Sequence, residues 1–285
     1  MFQFFRTLLA TALALAPDLV QGYSAPGACS GACWAHDPAV IRRADGLYFK
    51  LNTGENIEIA SSSSLNGPWK LQGSALTSGS NIDSPGNKDL WPPDVSLVKS
   101  VSHLYYSVSS FGSQESAIGL ATSTTLDPGS WTDNQAVGIA SKAGSAYKAI
   151  DANPIKVGDT YLMNSGSVWN DTYQVKLNSA ATKTGGEASC PLHNEPAQGE
   201  EYRIMMCRRE SATGGFVDKD GQKCTASGGS PLLECHDEIY GPGGQGAFSD
   251  SSKGLVLYTA SRETMLRCLR SCLCRLVKQS RVSEV

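Results

Sequence analysis

Three aspartates stand at one interval along this 285-residue chain, and each opens a similar phrase. Asp37 begins Asp37-Pro38-Ala39-Val40-Ile41, Asp94 begins Asp94-Val95-Ser96-Leu97-Val98, and Asp151 begins Asp151-Ala152-Asn153-Pro154-Ile155. The interval is 57 residues both times (94 − 37 and 151 − 94), and a tyrosine follows each aspartate at a similar offset: Tyr48, Tyr105 and Tyr161. Carboxylates gathered in one small site do acid–base work. Cleavage of a glycosidic bond needs one ionised carboxylate and one protonated carboxyl on opposite sides of the linkage. An inverting enzyme holds them ~6.5–9.5 Å apart so that a water fits between. A third carboxylate nearby keeps the acid protonated, because like charges oppose ionisation. For each aspartate the plain alternative is a turn cap at the start of a strand. Pro38 restricts the backbone before it, and the apolar neighbours of Asp151 argue against an ordinary surface residue. Trp91, just before Asp94, is either a core residue or a face on which a sugar ring stacks.

The elements that position these residues read as short strands. Leu47–Leu51, Ile57–Ala60, Val95–Val98, His103–Val108, Ala117–Ala121 and the run from Ile155 to Val175 alternate between turns rich in Gly, Pro, Asn and Asp. Asn66-Gly67-Pro68-Trp69 and Asp127-Pro128-Gly129-Ser130-Trp131 both return a tryptophan to the core. A period of this size predicts stacked or radial units, such as the blades of an all-β propeller. In a propeller, equivalent positions of successive blades meet on one axis. Residues 181–200 are polar and show no clear strand. From Glu263 onward the chain is basic, with Leu266, Leu269, Leu273 and Leu276 at helical spacing. That predicts an amphipathic helix or a loosely packed terminal segment.

Composition supports a globular, secreted protein. Hydrophobic residues make up 40% of the chain and charged residues 18%. The formal net charge of −3 gives no reason to expect nucleic acid as a partner. Arg6, the apolar run Thr7–Ala16 and the small residues up to Gly22 predict a signal peptide over residues 1–22 and an extracellular destination. The run is too short to span a bilayer, and no other segment approaches that length. Nine cysteines then predict disulfides with one left over. Cys207 and Cys224 are natural partners across a glycine-rich loop, while Cys29 and Cys33 pair with each other or elsewhere. A zinc site at Cys268, Cys272 and Cys274 lacks a fourth ligand of suitable spacing. Asn170-Asp171-Thr172 is a glycosylation sequon.

Beyond the repeat, several phrases resemble one family. They are Gly31-Ala32-Cys33 with His36-Asp37-Pro38, Leu90-Trp91-Pro92-Pro93-Asp94-Val95-Ser96, and Tyr105 through Ser113. They continue with Ile118 through Ser123, Ala149-Ile150-Asp151-Ala152-Asn153-Pro154, Gly199-Glu200-Glu201-Tyr202, and Tyr240 through Gly246. Over about residues 28–180 and 197–258 the chain resembles the fungal secreted endo-1,5-α-L-arabinanases of glycoside hydrolase family 43. The resemblance implies a five-bladed β-propeller over residues 23–260 and inverting hydrolysis of α-1,5-linked arabinan, a pectin side-chain polysaccharide. It implies Asp37 as general base and Asp151 as the carboxylate that raises and orients the acid. Trp91 and Asp94 would line the substrate site. A monomer with no membrane partner is expected.

Two departures stand against that pattern. The family's acid is a glutamate in a Glu-Gly-Ala-Phe-like motif opening the fourth blade. Here Thr184-Gly185-Gly186-Glu187-Ala188-Ser189-Cys190 runs almost directly into Gly199-Glu200-Glu201-Tyr202. An aromatic-rich strand is missing, and Glu187 and Glu195 are the acids left near the gap. After Tyr258 the family carries a His-Tyr pair whose histidine helps bind a central calcium or sodium ion. This chain reads Thr259-Ala260-Ser261 and then enters an atypical basic, Cys-rich tail over 261–285. No metal ligand is assigned. An incomplete fourth blade and ring closure are therefore expected. So is an alternative function, a non-catalytic arabinan-binding protein.

Overall fold

The computed structural model describes residues 29–167, 171–192, 202–210, 212–236, 239–262 and 269–274. The expected signal segment, Glu195 and the sequon asparagine lie outside them. No helix among the described residues is long and apolar enough to cross a membrane.

The chain forms five antiparallel sheets in sequence order, each a simple meander. The first holds β1 (Ala39–Arg42), β2 (Tyr48–Asn52), β3 (Glu58–Ser62) and β4 (Lys70–Ser74). The second holds β5 (Trp91–Val98), β6 (Val101–Ser109), β7 (Ser116–Ser123) and β8 (Thr132–Ser141). The third holds β9 (Asn153–Val157), β10 (Thr160–Ser167), β11 (Asp171–Lys176) and β12 (Ser189–Leu192). The fourth has two strands among the described residues, β13 (Ile204–Met206) and β14 (Ser230–Leu233). The fifth has three among the described residues: β15 (Gly243–Asp250), β16 (Gly254–Arg262) and β17 (Leu269–Cys274). These are the blades of a five-bladed propeller. The two described strands of the fourth blade follow the polar stretch of residues 181–200.

Blades are joined by apolar packing rather than by shared strands. Phe49, Leu51, Ile57 and Ile59 of the first blade form one core with Leu104, Tyr106 and Val108 of the second. Tyr105, Ile118 and Leu120 pack with Ala149, Met163 and Val175 of the third. Val40, Tyr48, Ala60 and Trp69 pack with Val256 and Tyr258 of the fifth, so the first and last blades meet. Burial of each large side chain is worth ~1.5–3 kcal/mol. Both tryptophans expected to return to the core do so: Trp69 is 2% exposed and Trp131 9%.

One packing device occurs twice. Tyr106 lies opposite Gly119 across the β6–β7 pair, and Tyr258 lies opposite Gly246 across β15–β16. A Cβ on Gly119 would fall 2.2 Å from the Tyr106 ring, and one on Gly246 2.1 Å from the Tyr258 hydroxyl and 2.3 Å from its ring. The missing side chain is the space the ring occupies.

Two segments differ from the sequence reading. Ser189–Leu192, in a stretch that shows no clear strand, pairs with β11 through an irregular register. The open edge of β11 supplies backbone partners that local composition does not reveal. The tail's leucine spacing predicts a helix, yet Leu269–Cys274 is a strand, with Leu269 opposite Arg262 and Cys274 opposite Leu257. A six-residue apolar–polar run satisfies either period, and the free edge of β16 decides between them. Residues 263–268 and 275–285 of the tail, and the side chains of β17, lie outside what is described.

Candidate active site

Asp37 and Asp151 each sit just before the first strand of a blade, β1 and β9. Both adopt left-handed backbone, with φ of 49° and 56°. That conformation is uncommon for residues other than glycine, asparagine and aspartate. For Asp37 it is more than the restriction expected from Pro38, which disfavours a different region. Such strain persists only where the surroundings over-determine it, and it concentrates at functional sites.

The arm carrying Asp37 is fastened at several points. Cys29 and Cys33 are disulfide-bonded, as are Cys207 and Cys224. Gly31 bridges to Trp69, with Ala32 N donating to Trp69 O at 2.9 Å and Trp69 N to Ser30 O at 2.9 Å. The Lys50 ammonium, buried in β2, donates to Ala32 O at 2.6 Å and Trp34 O at 2.9 Å. Burial brings that amine down to about 8, against the opposing pull of Glu58. Thr53 then holds the end of the arm. Its N–H donates to His36 O at 2.9 Å and its hydroxyl to Asp37 Oδ2 at 3.3 Å. His36 Nε2 lies 3.3 Å from the same oxygen.

Asp151 is exposed to solvent, with protein atoms packed closely around its carboxyl. Its carboxyl is pushed up to about 8, by loss of hydration first and the charge of Asp37 second, while Lys148 pulls it down. The upward direction holds on the like charge alone. The fold thus brings together two aspartates 114 positions apart in sequence (151 − 37). Gly244 of the fifth blade closes over Asp37, since a Cβ there would stand 2.6 Å from Asp37 Oδ1.

Asp94 lies within β5, past a bulge between Trp91 and Asp94, and is half-buried. It accepts from Asn153 Nδ2 at 2.7 Å, which ties the second blade to the third two residues after Asp151. Burial raises it to about 7, against hydrogen bonds from Asn153 and Ser96. Trp91 is half-buried, with Nε1 donating to Asp89 Oδ2 at 3.4 Å and the Lys148 ammonium 5.7 Å from its ring centroid. Lys148, Thr53, Asn153 and Gly244 were not singled out in the sequence. Lys148 carried a signal, a charged residue immediately before the apolar pair preceding Asp151.

Glu187 is exposed in the loop before β12. Among the described residues no three His, Cys, Asp or Glu side chains cluster closely enough to hold a metal ion. The described residues therefore form no cage of this kind for a central ion, and no step below passes through one. A cavity of about 410 Å³ lined by Arg42, Arg43, Ala44, Ser249, Asp250 and Ser251 lies at the far end of β1 from Asp37. Asp37, Asp94 and Asp151 do not line it.

Comparison with known proteins says what class this propeller belongs to. The description "Glycosyl hydrolases family 43" matches residues 32–197. The chain is 50% identical over 275 residues to "Probable arabinan endo-1,5-alpha-L-arabinosidase A" of Aspergillus fumigatus, covering 84% of this chain and 86% of that one. It is 46% identical over 287 residues to "Arabinan endo-1,5-alpha-L-arabinosidase A" of Aspergillus aculeatus, covering 88% and 89%. The native Bacillus subtilis arabinanase superposes with a TM-score of 0.73 at 26% identity, covering 86% of this chain and 94% of that one. The chain belongs to glycosyl hydrolase family 43. In the first alignment, 84% of 285 residues is about 239, so about 36 of the 275 positions face gaps in this chain.

Proposed function

We propose that this protein is a secreted glycoside hydrolase that cleaves α-1,5-linked L-arabinan with inversion. The observation that carries the reading is the convergence of Asp37 and Asp151, close enough for the charge of one to oppose ionisation of the other. The names of the fungal relatives supply the substrate. In this reading Asp37, oriented by Thr53 and His36, removes a proton from the water that attacks the anomeric carbon. Asp151 holds its proton near neutral pH. Ionised Asp37 is thus the base of the pair, and Asp151 is the carboxyl that would orient a proton donor rather than the donor itself. Trp91 and Asp94 line the sugar site from the second blade.

The residue that protonates the leaving oxygen in relatives of this kind has no counterpart motif here. A general acid contributes ~10²–10⁴-fold in rate, so turnover is expected to be slow. That observation also favours a second reading, an arabinan-binding protein without turnover. The test is release of reducing sugar from linear arabinan by the purified chain, beside an Asp37→Ala variant. Release by the first and none by the second supports hydrolysis. No release from either, with retention on an arabinan column, selects the binding reading. Passage through the column as well rejects both.

A further inference from the structure

Lys148 is a charged residue in a place that charge disfavours. Its side chain is 3% exposed. Enclosing an ammonium costs several kcal/mol unless other groups compensate. A methionine would fill similar space without that cost. The groups around Lys148 make sense of the lysine. Ile150 N donates to Lys148 O at 3.0 Å, a tight turn that folds the segment back just before Asp151. The ammonium stands over the Trp91 ring, 5.7 Å from its centroid, on the neighbouring blade. An ammonium in that position is attracted by the ring's π-face.

We infer that Lys148 is a positioning residue that acts on Asp151 and Trp91 together, linking the third blade's carboxyl to the second blade's aromatic. Two consequences follow. The charged groups that bear on this point are Asp37 and Lys148 on Asp151, His36 on Asp37, and Asp94 through Asn153. Of these, Lys148 pulls the Asp151 carboxyl down while Asp37 pushes it up. Lys148 therefore limits how far Asp151 is driven toward its protonated form. Second, one face of Trp91 is covered by the ammonium, so a sugar ring can stack only on the other face. That second consequence rests on the reading of Trp91 as a sugar contact.

The experiment uses the full chain and the variants Lys148→Met, Lys148→Gln and Lys148→Arg. Asp151 is titrated by carbon-13 NMR of labelled aspartate carboxyls, with Asp151→Asn for assignment. An opposite charge at close range shifts a carboxyl by ~1–3 units. Lys148→Met should therefore raise the Asp151 midpoint by about one unit. Lys148→Arg, which keeps the charge, should leave it near the wild-type position. If Lys148→Met does not fold, Lys148→Gln gives the same reading with similar length and polarity. A midpoint that is the same in Met, Gln and Arg variants overturns the inference, because a purely packing role would not move it. Calorimetric binding of arabinohexaose is measured on the same proteins. Wild type that binds no arabinohexaose, while the Asp151 midpoint still moves, rejects the arabinan reading and leaves the role of Lys148 standing.

Discussion

Substituting Tyr48 by Phe tests how the first and last blades are held together. Tyr48 on β2 donates its hydroxyl to Asp250 Oδ2 at the end of β15, 2.7 Å away. Asp250 has no exposed side-chain surface, and Arg42 Nη1 stands 3.7 Å from its other oxygen. Ser252 N, Ser252 Oγ and Lys253 N also donate to that oxygen, at 2.7, 2.6 and 2.9 Å. Burial alone would raise this carboxyl. The bonds from Ser252, Tyr48 and the backbone outweigh it and bring the group down to about 2. Against an ordinary aspartate near 3.9, and at ~1.4 kcal/mol per unit, the whole arrangement is worth about 2–3 kcal/mol. Tyr48 is one donor of several, so Tyr48→Phe should cost about 1–2 kcal/mol at pH 7, in line with a hydrogen bond to a charged group.

The pH dependence of that loss has a definite sign. The folded carboxyl lies below its unfolded value, so its contribution is complete above about pH 4. It disappears as pH falls toward about 2. Urea unfolding of wild type and Tyr48→Phe at pH 7, 4 and 3 should show midpoints that converge as the pH drops. A double-mutant cycle with Asp250→Asn should return most of the loss as coupling. Equal losses at every pH, or no loss at pH 7, would refute the argument that this bond joins the blades through the Asp250 charge. The bond also matters to the site, because Gly244, on the same strand as Asp250, rests against Asp37.

Three further outcomes are expected. Gly244→Ala places a Cβ 2.6 Å from Asp37 Oδ1 at a φ of +54°; it should lower kcat/KM on arabinan and cost ~1–2 kcal/mol in thermal unfolding. Asp151→Asn should stabilise the fold. The wild-type carboxyl is raised to about 8, so its protonated form contributes fully below about pH 4 and that contribution is lost as pH rises through about 8. The gain measured by unfolding should grow over that window, and a gain that shrank with rising pH would contradict the assignment. Replacing Cys207 and Cys224 together by Ser opens a loop of 17-residue separation. Midpoints of unfolding should fall by the equivalent of ~3 kcal/mol.

Much of the architecture was legible in the residue order. The 57-residue interval between aspartates is a property of the chain, and the β-rich runs around Tyr48, Tyr105 and Tyr161, bounded by turn residues, are local. Runs of β-branched and aromatic residues between turn residues mark strands locally, so blades one to three could be read without knowing their neighbours. The polar stretch between Cys190 and Tyr202, short of apolar residues, was equally visible in the sequence. What the tertiary structure alone decided is the company each group keeps. β17 became a strand because the edge of β16 was free, which no window over Leu269–Cys274 contains. Thr53 reached Asp37 through the pairing of β1 with β2, whereas Gly244 reached Asp37, and Lys148 reached Trp91, only after strands far apart in the chain were wound about one axis. The charge states of Asp94 and Asp151 belong to that same level. Aspartate titrates alike wherever water surrounds it, and only enclosure and a neighbouring charge make one carboxyl differ from another.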